Sequence, residues 1–142
     1  MPDTPAFDLQ HFVDAQEPIY AQVVRELGDG HKRTHWMWFI FPQLAGLGHS
    51  PMAQRYAISG LEEARAYLAH PVLGARLREC ADLVSQQSGR SAHDIFGSPD
   101  DVKLRSSMTL FHRADPQNAV FTSILDRFCG GEDAATIARL AQ

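Results

Sequence analysis

The sequence predicts an all-α fold, a single compact domain of about eight short to medium helices around a central aromatic-rich helix. Three observations carry that expectation. Proline repeatedly stands where a helix would start, the apolar residues that follow it recur every three to four positions, and no run alternates apolar and polar residues for long enough to make a strand. The centre is the run from Lys32 to Gln43, which holds both tryptophans and two of the eight phenylalanines. On a helical wheel the apolar residues from Trp36 to Phe41 cover every direction, so the predicted helix is buried all round. Each such side chain contributes about 1.5–3 kcal/mol when fully removed from water, and together they can anchor a small domain.

The elements follow in order. Met1 to Ala6 reads as a flexible tail, and Phe7 to Phe12 as a short opening helix capped by Asp8. Pro18 marks a second helix, lined by Tyr20, Val23, Val24 and Leu27 and stopped at Gly28. The aromatic helix comes next and ends near Phe41, because Pro42 disfavours helix at its predecessor. Gln43 to His49 is a loop in which Gly46 and Gly48 permit tight turns. Ser50-Pro51 starts a short helix over Met52 to Ile58, and Ser59 with Glu62 makes a capping-box pattern ahead of Leu61, Ala64 and Leu68. Pro71 opens a longer helix with Leu73, Leu77, Cys80 and Val84 on one stripe. A turn around Ala92 to Phe96 leads to Ser98-Pro99, after which Asp100 and Asp101 meet the positive end of a helix dipole. That helix carries Leu104, Met108 and Phe111 on one face and Val102, Ser106 and Leu110 on another, so it is expected to be largely buried. Asp115-Pro116 opens a helix striped by Phe121, Ile124, Leu125 and Phe128 and closed by Cys129-Gly130-Gly131. Asp133 caps a last one through Ile137 and Leu140.

A chain of 142 residues, 44% hydrophobic and 21% charged, suits one domain over residues 1–142. Its net charge of -4 opposes broad binding of nucleic-acid polymers, which needs a basic field to displace counterions, although a local basic pocket is compatible with it. Met1 to Ala6 lacks the positive start and apolar run of a signal peptide, and no stretch approaches a membrane span, so a cytoplasmic protein without a membrane partner is expected. Cys80 and Cys129, without CxxC or Cys/His spacing, read as buried free thiols. His31 and His35 are one helical turn apart, but no third ligand follows at diagnostic spacing, so no metal site is expected. GxSxG, HExxH and P-loop patterns are missing, and Gly46-Leu47-Gly48 lacks the third glycine of a dinucleotide fingerprint. No motif names a reaction or a cofactor, and whether the protein is an enzyme stays open.

Two stretches can carry chemistry. The first is the polar fringe of the aromatic helix, with Lys32 and His35 ahead of it and Gln43 behind it. A histidine and a glutamine at the edge of a tryptophan-rich core suit a flat or sugar-like ligand, though His35 can equally serve a buried carbonyl and Trp36 and Trp38 can be core alone. The second is Lys103, Arg105, Ser106, Ser107 and Thr109, where two cations and three hydroxyls alternate with apolar residues. Hydroxyls inside a helix either let a neighbour pack closely or wall a polar pocket, in which the cations would hold a phosphate or carboxylate.

The motifs His35-Trp36-Met37-Trp38-Phe39-Ile40-Phe41-Pro42-Gln43, Gly46-Leu47-Gly48, Tyr56-Ala57-Ile58, Tyr67-Leu68-Ala69-His70-Pro71, Ile95-Phe96-Gly97 and Asp101 to Phe111 together resemble the family called domain of unknown function 1810. The resemblance spans nearly the whole chain. It implies a mainly helical, single-domain bacterial protein and transfers no catalytic residues; Thr34 stands where the family usually has serine. Some members carry a calpastatin-like label, but no residue here supports protease inhibition.

The expectation is therefore that the two stretches face each other across a pocket for a small anionic metabolite such as a nucleotide or ADP-ribose-like compound. Trp36 or Trp38 would stack on it, His35 and Gln43 orient it, Lys32 close over it, Lys103 and Arg105 hold its charge, and Ser106, Ser107 and Thr109 complete the polar wall. Two alternatives stand beside this one. One is a helical module that binds a protein partner. The other is a hydrolase or transferase on a nucleotide-like ligand, with His35 as acid or base because its unperturbed pKa lies near neutrality.

Overall fold

Ten helices run through residues 7–141, the part of the chain that this computed structural model describes; the expected tail at residues 1–6 lies outside it. They are α1 (Gln10–Gln16), α2 (Tyr20–Gly28), α3 (Met37–Ile40), α4 (Pro51–Arg55), α5 (Leu61–Ala69), α6 (Leu73–Ser85), α7 (Ala92–Phe96), α8 (Asp100–Ala114), α9 (Ala119–Ile124) and α10 (Ala134–Leu140). A π-helical turn, Leu125–Cys129, continues α9. Among the described residues extended pairing is confined to one bridge between Leu44 and Ile58, so the chain is all-α.

Several helix starts are explained by a side chain that takes an orphan backbone N–H. Asp8 accepts from Gln10 N at 3.2 Å, Ser50 from Ala53 N at 3.1 Å ahead of Pro51, and Asp133 from Thr136 N at 3.0 Å, each as expected. Elsewhere the cap moves. Pro71 stands outside α6, whose first N–H groups, those of Val72 and Leu73, donate to the imidazole Nδ1 of His70 at 3.1 and 3.2 Å. Asn118, not Asp115, caps α9, and Ser59 N donates to Glu63, not Glu62, at 2.7 Å. Ser91 and Asp94 form a full capping box at α7.

The central aromatic helix ends at Phe41 as expected but is short. Only one turn, Met37–Ile40, is helical, and the polar segment ahead of it is pinned to α2, with Arg33 N and Thr34 N donating to the Glu26 carboxylate at 2.8 and 3.0 Å. Nor is the run buried all round. Trp36, Met37, Phe39, Ile40 and Phe41 lie in the core, whereas Trp38 is half-buried. The turn nevertheless sits in the aromatic core: the Trp36 ring lies 6.4 Å from both Phe41 and Phe96. A second file of rings runs from Phe12 to Tyr67 (5.2 Å), Phe111 (5.4 Å) and Phe121 (6.2 Å), linking α1, α5, α8 and α9. The Phe39 carbonyl at the end of α3 accepts from Gln16 Nε2 at 2.7 Å, so a buried glutamine from α1 satisfies what the helix leaves open. The expected α6 stripe is as drawn, with Leu73, Leu77, Cys80 and Val84 all buried.

Candidate functional site

The segment from His31 to Trp36 is built on one acid. Glu26 lies between Val23 and Leu27 on the buried face of α2 and accepts from Gln22 Nε2 (2.7 Å), Arg33 N (2.8 Å), Thr34 N (3.0 Å), Thr34 Oγ1 (2.7 Å) and Trp36 Nε1 (2.9 Å). Burial alone would raise its carboxyl, but the donors from Gln22, Arg33, Trp36 and Thr34 outweigh that and hold it at about 2. The acid thus pins the loop that carries Lys32 and His35.

Lys32 turns inward from this loop. Its side chain is only 6% exposed, and its Nζ meets Asp100 Oδ2 at 2.8 Å and lies 5.1 Å from the Trp36 ring centroid. Lys103, one turn into α8, meets the other oxygen of Asp100 at 3.4 Å and stands 5.2 Å over the Trp38 ring. Two cations thus share one carboxylate beside a half-buried indole, which leaves one positive charge in surplus and places both ammoniums where aromatic faces attract them.

The other residues singled out from the sequence divide. Lys103 and Arg105 are two positions apart on a helix of about 3.6 residues per turn, so they point to nearly opposite faces of α8. The faces differ in use. On the Arg105 side the polar residues dock the C-terminal segment: Arg105 Nε donates to Gly131 O (2.9 Å), Asp133 N to Thr109 Oγ1 (2.8 Å), and Ser106 Oγ to Asp133 Oδ2 (3.3 Å). Thr109 Oγ1 also donates to Arg105 O at 2.8 Å. Ser106 and Thr109 are buried in this docking rather than lining an open wall. Ser107 is fully buried too, and its Oγ has no hydrogen-bond partner among the described residues.

Trp36 is also enclosed, 1% exposed with its indole N–H spent on Glu26, so the half-buried Trp38 is the tryptophan a ligand can reach. His35 is exposed and makes no side-chain hydrogen bond among the described residues, so the geometry supplies no hydroxyl or carboxylate partner for acid–base work. Gln43 is half-buried in the loop after α3, where its carbonyl accepts from Ile58 N at 2.9 Å. Among the described residues no group of three or more His, Cys, Asp or Glu is placed to hold a metal ion. No helix there is long and apolar enough to cross a membrane.

Comparison with known proteins adds the relationship. Residues 6–140 match the family described as "Protein of unknown function (DUF1810)". The chain belongs to the DUF1810 family. Among solved structures, this DUF1810 chain is similar to the crystal structure of the conserved hypothetical protein Rv1873 from Mycobacterium tuberculosis, with 59% identity, a TM-score of 0.95, and coverage of 97% of this chain and 99% of that one. A comparison with curated proteins finds no match.

Three residues that organise this DUF1810 chain escaped the sequence reading. Glu26 had a legible signal, since a carboxylate three residues after Val23 and one before Leu27 interrupts an apolar face and asks for partners. Asp100 reads from sequence as a helix-dipole charge, and only the fold shows that it joins Lys32 to Lys103. Gln16 follows an amphipathic stretch and gives no local hint of its buried place against α3.

Proposed function

We propose that this protein binds a small anionic metabolite, such as a nucleotide or ADP-ribose-like compound, at the corner where Lys32, Lys103 and Trp38 meet. The observation that carries the reading is the sharing of Asp100 by two ammoniums beside a half-buried indole. A phosphate arriving there meets the surplus cation, most readily the more exposed Lys103, while a planar group lies against the open part of Trp38. Lys32, nearly enclosed, holds Asp100 and keeps that carboxylate from facing the ligand. His35 lies three residues before Trp38, on the exposed segment leading into α3.

The bacterial cytoplasm is the setting that fits this reading. Two cysteines that remain free suit a reducing compartment, and the similar mycobacterial protein is bacterial. A thermal-shift screen against nucleotides, NAD, ADP-ribose and sugar phosphates tests it. A ligand at a hundred times its dissociation constant stabilises by about 2.7 kcal/mol, several degrees for a domain of this size. Lys103→Ala should abolish the shift and leave the melting point of the free protein nearly unchanged. A shift retained in Lys103→Ala, or none with any compound, counts against the reading. The protein-partner alternative draws on one observation, an apolar groove of about 420 Å3 between Leu61, Pro116, Ile137 and Leu140, and a pull-down that captures a defined partner lost on Leu140→Asp would favour it.

A further inference from the structure

A cleft of about 230 Å3 opens between α7, the start of α8 and the π-helical turn, on the face of α8 turned away from Lys103. Its chemistry is unlike that of the Lys32–Lys103 corner. Arg105 enters it with Nε fixed on Gly131 O at 2.9 Å, so the guanidinium plane is set while neither Nη group makes a hydrogen bond or ion pair among the described residues. That is a preorganised fork of donors, the geometry a carboxylate accepts in two parallel bonds. The wall beside it is apolar: Val102, 55% exposed at the rim, and Phe128, brought round by the π turn. Single π-helical turns are rare and occur frequently at functional sites. Asp101, one turn before Arg105 on the same face of α8, is already engaged, with Oδ1 accepting from Val102 N at 2.9 Å and Oδ2 3.4 Å from His93 Nδ1, so it competes little for the fork. The Cys129 thiol completes the lining.

We infer that this cleft is a second binding site, for a small organic carboxylate that carries an apolar group, with the carboxylate on Arg105 and the apolar part against Val102 and Phe128. The volume suits a molecule about the size of an aromatic acid, at the small end of ligand pockets, which typically start near about 300 Å3. The site does not depend on the proposed role of Lys103, from which α8 separates it.

Cys129 is the built-in reporter. Burial pushes its thiol up to about 11 despite the neighbouring Arg105, so alkylation is slow and its rate reads access to the cleft, while the fully buried Cys80 in the same chain is the internal reference. The experiment follows iodoacetamide labelling of the full chain by intact mass at fixed alkaline pH, with phenylacetate, inorganic phosphate or benzyl alcohol present. Phenylacetate should protect Cys129 saturably, slowing labelling about tenfold at ten times its dissociation constant, while the other two probes do not. Arg105→Met should remove the protection. Because that change also frees Gly131, Val102→Trp serves as the second variant: it fills the cleft from its exposed rim, so labelling is slow without any probe and phenylacetate adds nothing. Equal protection by phosphate or benzyl alcohol, no protection by phenylacetate, or full protection in both variants overturns the inference.

Discussion

Glu26 is the residue on which most depends, and its chemistry gives a pH signature. Glu26→Gln removes the charge and turns a donor toward donors, and should destabilise the protein by about 1.5–3 kcal/mol in urea unfolding. The folded carboxyl lies at about 2 against an ordinary value of 4.5, so its stabilisation is complete above the unfolded value and is lost as pH falls through 4.5 toward 2. The wild-type protein should therefore lose stability over that window more steeply than Glu26→Gln, and parallel acid limbs would contradict the assignment. Thr109 acts more locally. Thr109→Val keeps the shape but leaves Asp133 N without its acceptor, which should cost about 1–2 kcal/mol, whereas Thr109→Ser should be nearly silent. At this scale the sequence is legible only in part. It marks the hydroxyls of α8 as needing a reason and offers both close packing and a pocket wall; for Ser106 and Thr109 it is contact with Asp133, distant in sequence, that uses the hydroxyls. Such long-range partners leave no local pattern to read.

At the scale of elements, α5 and α6 meet tightly at Gly74, where a methyl group would run into the Leu68 carbonyl oxygen. Gly74→Ala should destabilise by about 1–3 kcal/mol or more, since a backbone carbonyl cannot step aside, and thermal melting would show it as a fall of several degrees. The last helix is held differently. In α10 only Thr136 is buried, and the helix is tied by Asp133, by Arg113 to Glu132 at 2.7 Å, and by Arg139 to the Ala45 carbonyl at 2.9 Å. Asp133→Ala removes the cap of α10 and its bond to Ser106, so hydrogen exchange should speed up in α10 and leave α6 nearly unchanged. A uniform increase across both helices would mean that α10 opens only with the whole fold. Stripes such as Leu73, Leu77, Cys80 and Val84 are written in the sequence because each residue's environment repeats with the helix. The brevity of α3 is not, because Glu26, an acid on another element, fixes the course of the segment that leads into it.

Taken whole, the molecule is one core with two polar seams across it. Both tryptophans lie where α3 meets its neighbours, so tryptophan fluorescence and far-UV circular dichroism should report a single coincident unfolding transition; an earlier fluorescence change would divide the core in two. The all-α architecture is legible from the outset, since period and punctuation are local properties of a helix. The candidate site is legible as a set of residue types but not as an arrangement, because Lys103 and Arg105, neighbours in the chain, serve opposite faces of α8. The polar strap of α10 also bears on time. Its contacts join residues as far apart as Arg139 and Ala45, a loop whose closure is costly before the core exists, so they belong after the rate-limiting step of folding. Bonds made that late act on the return journey alone: strengthening the seam around Asp133 lengthens the lifetime of the native state and leaves the speed of reaching it where it was.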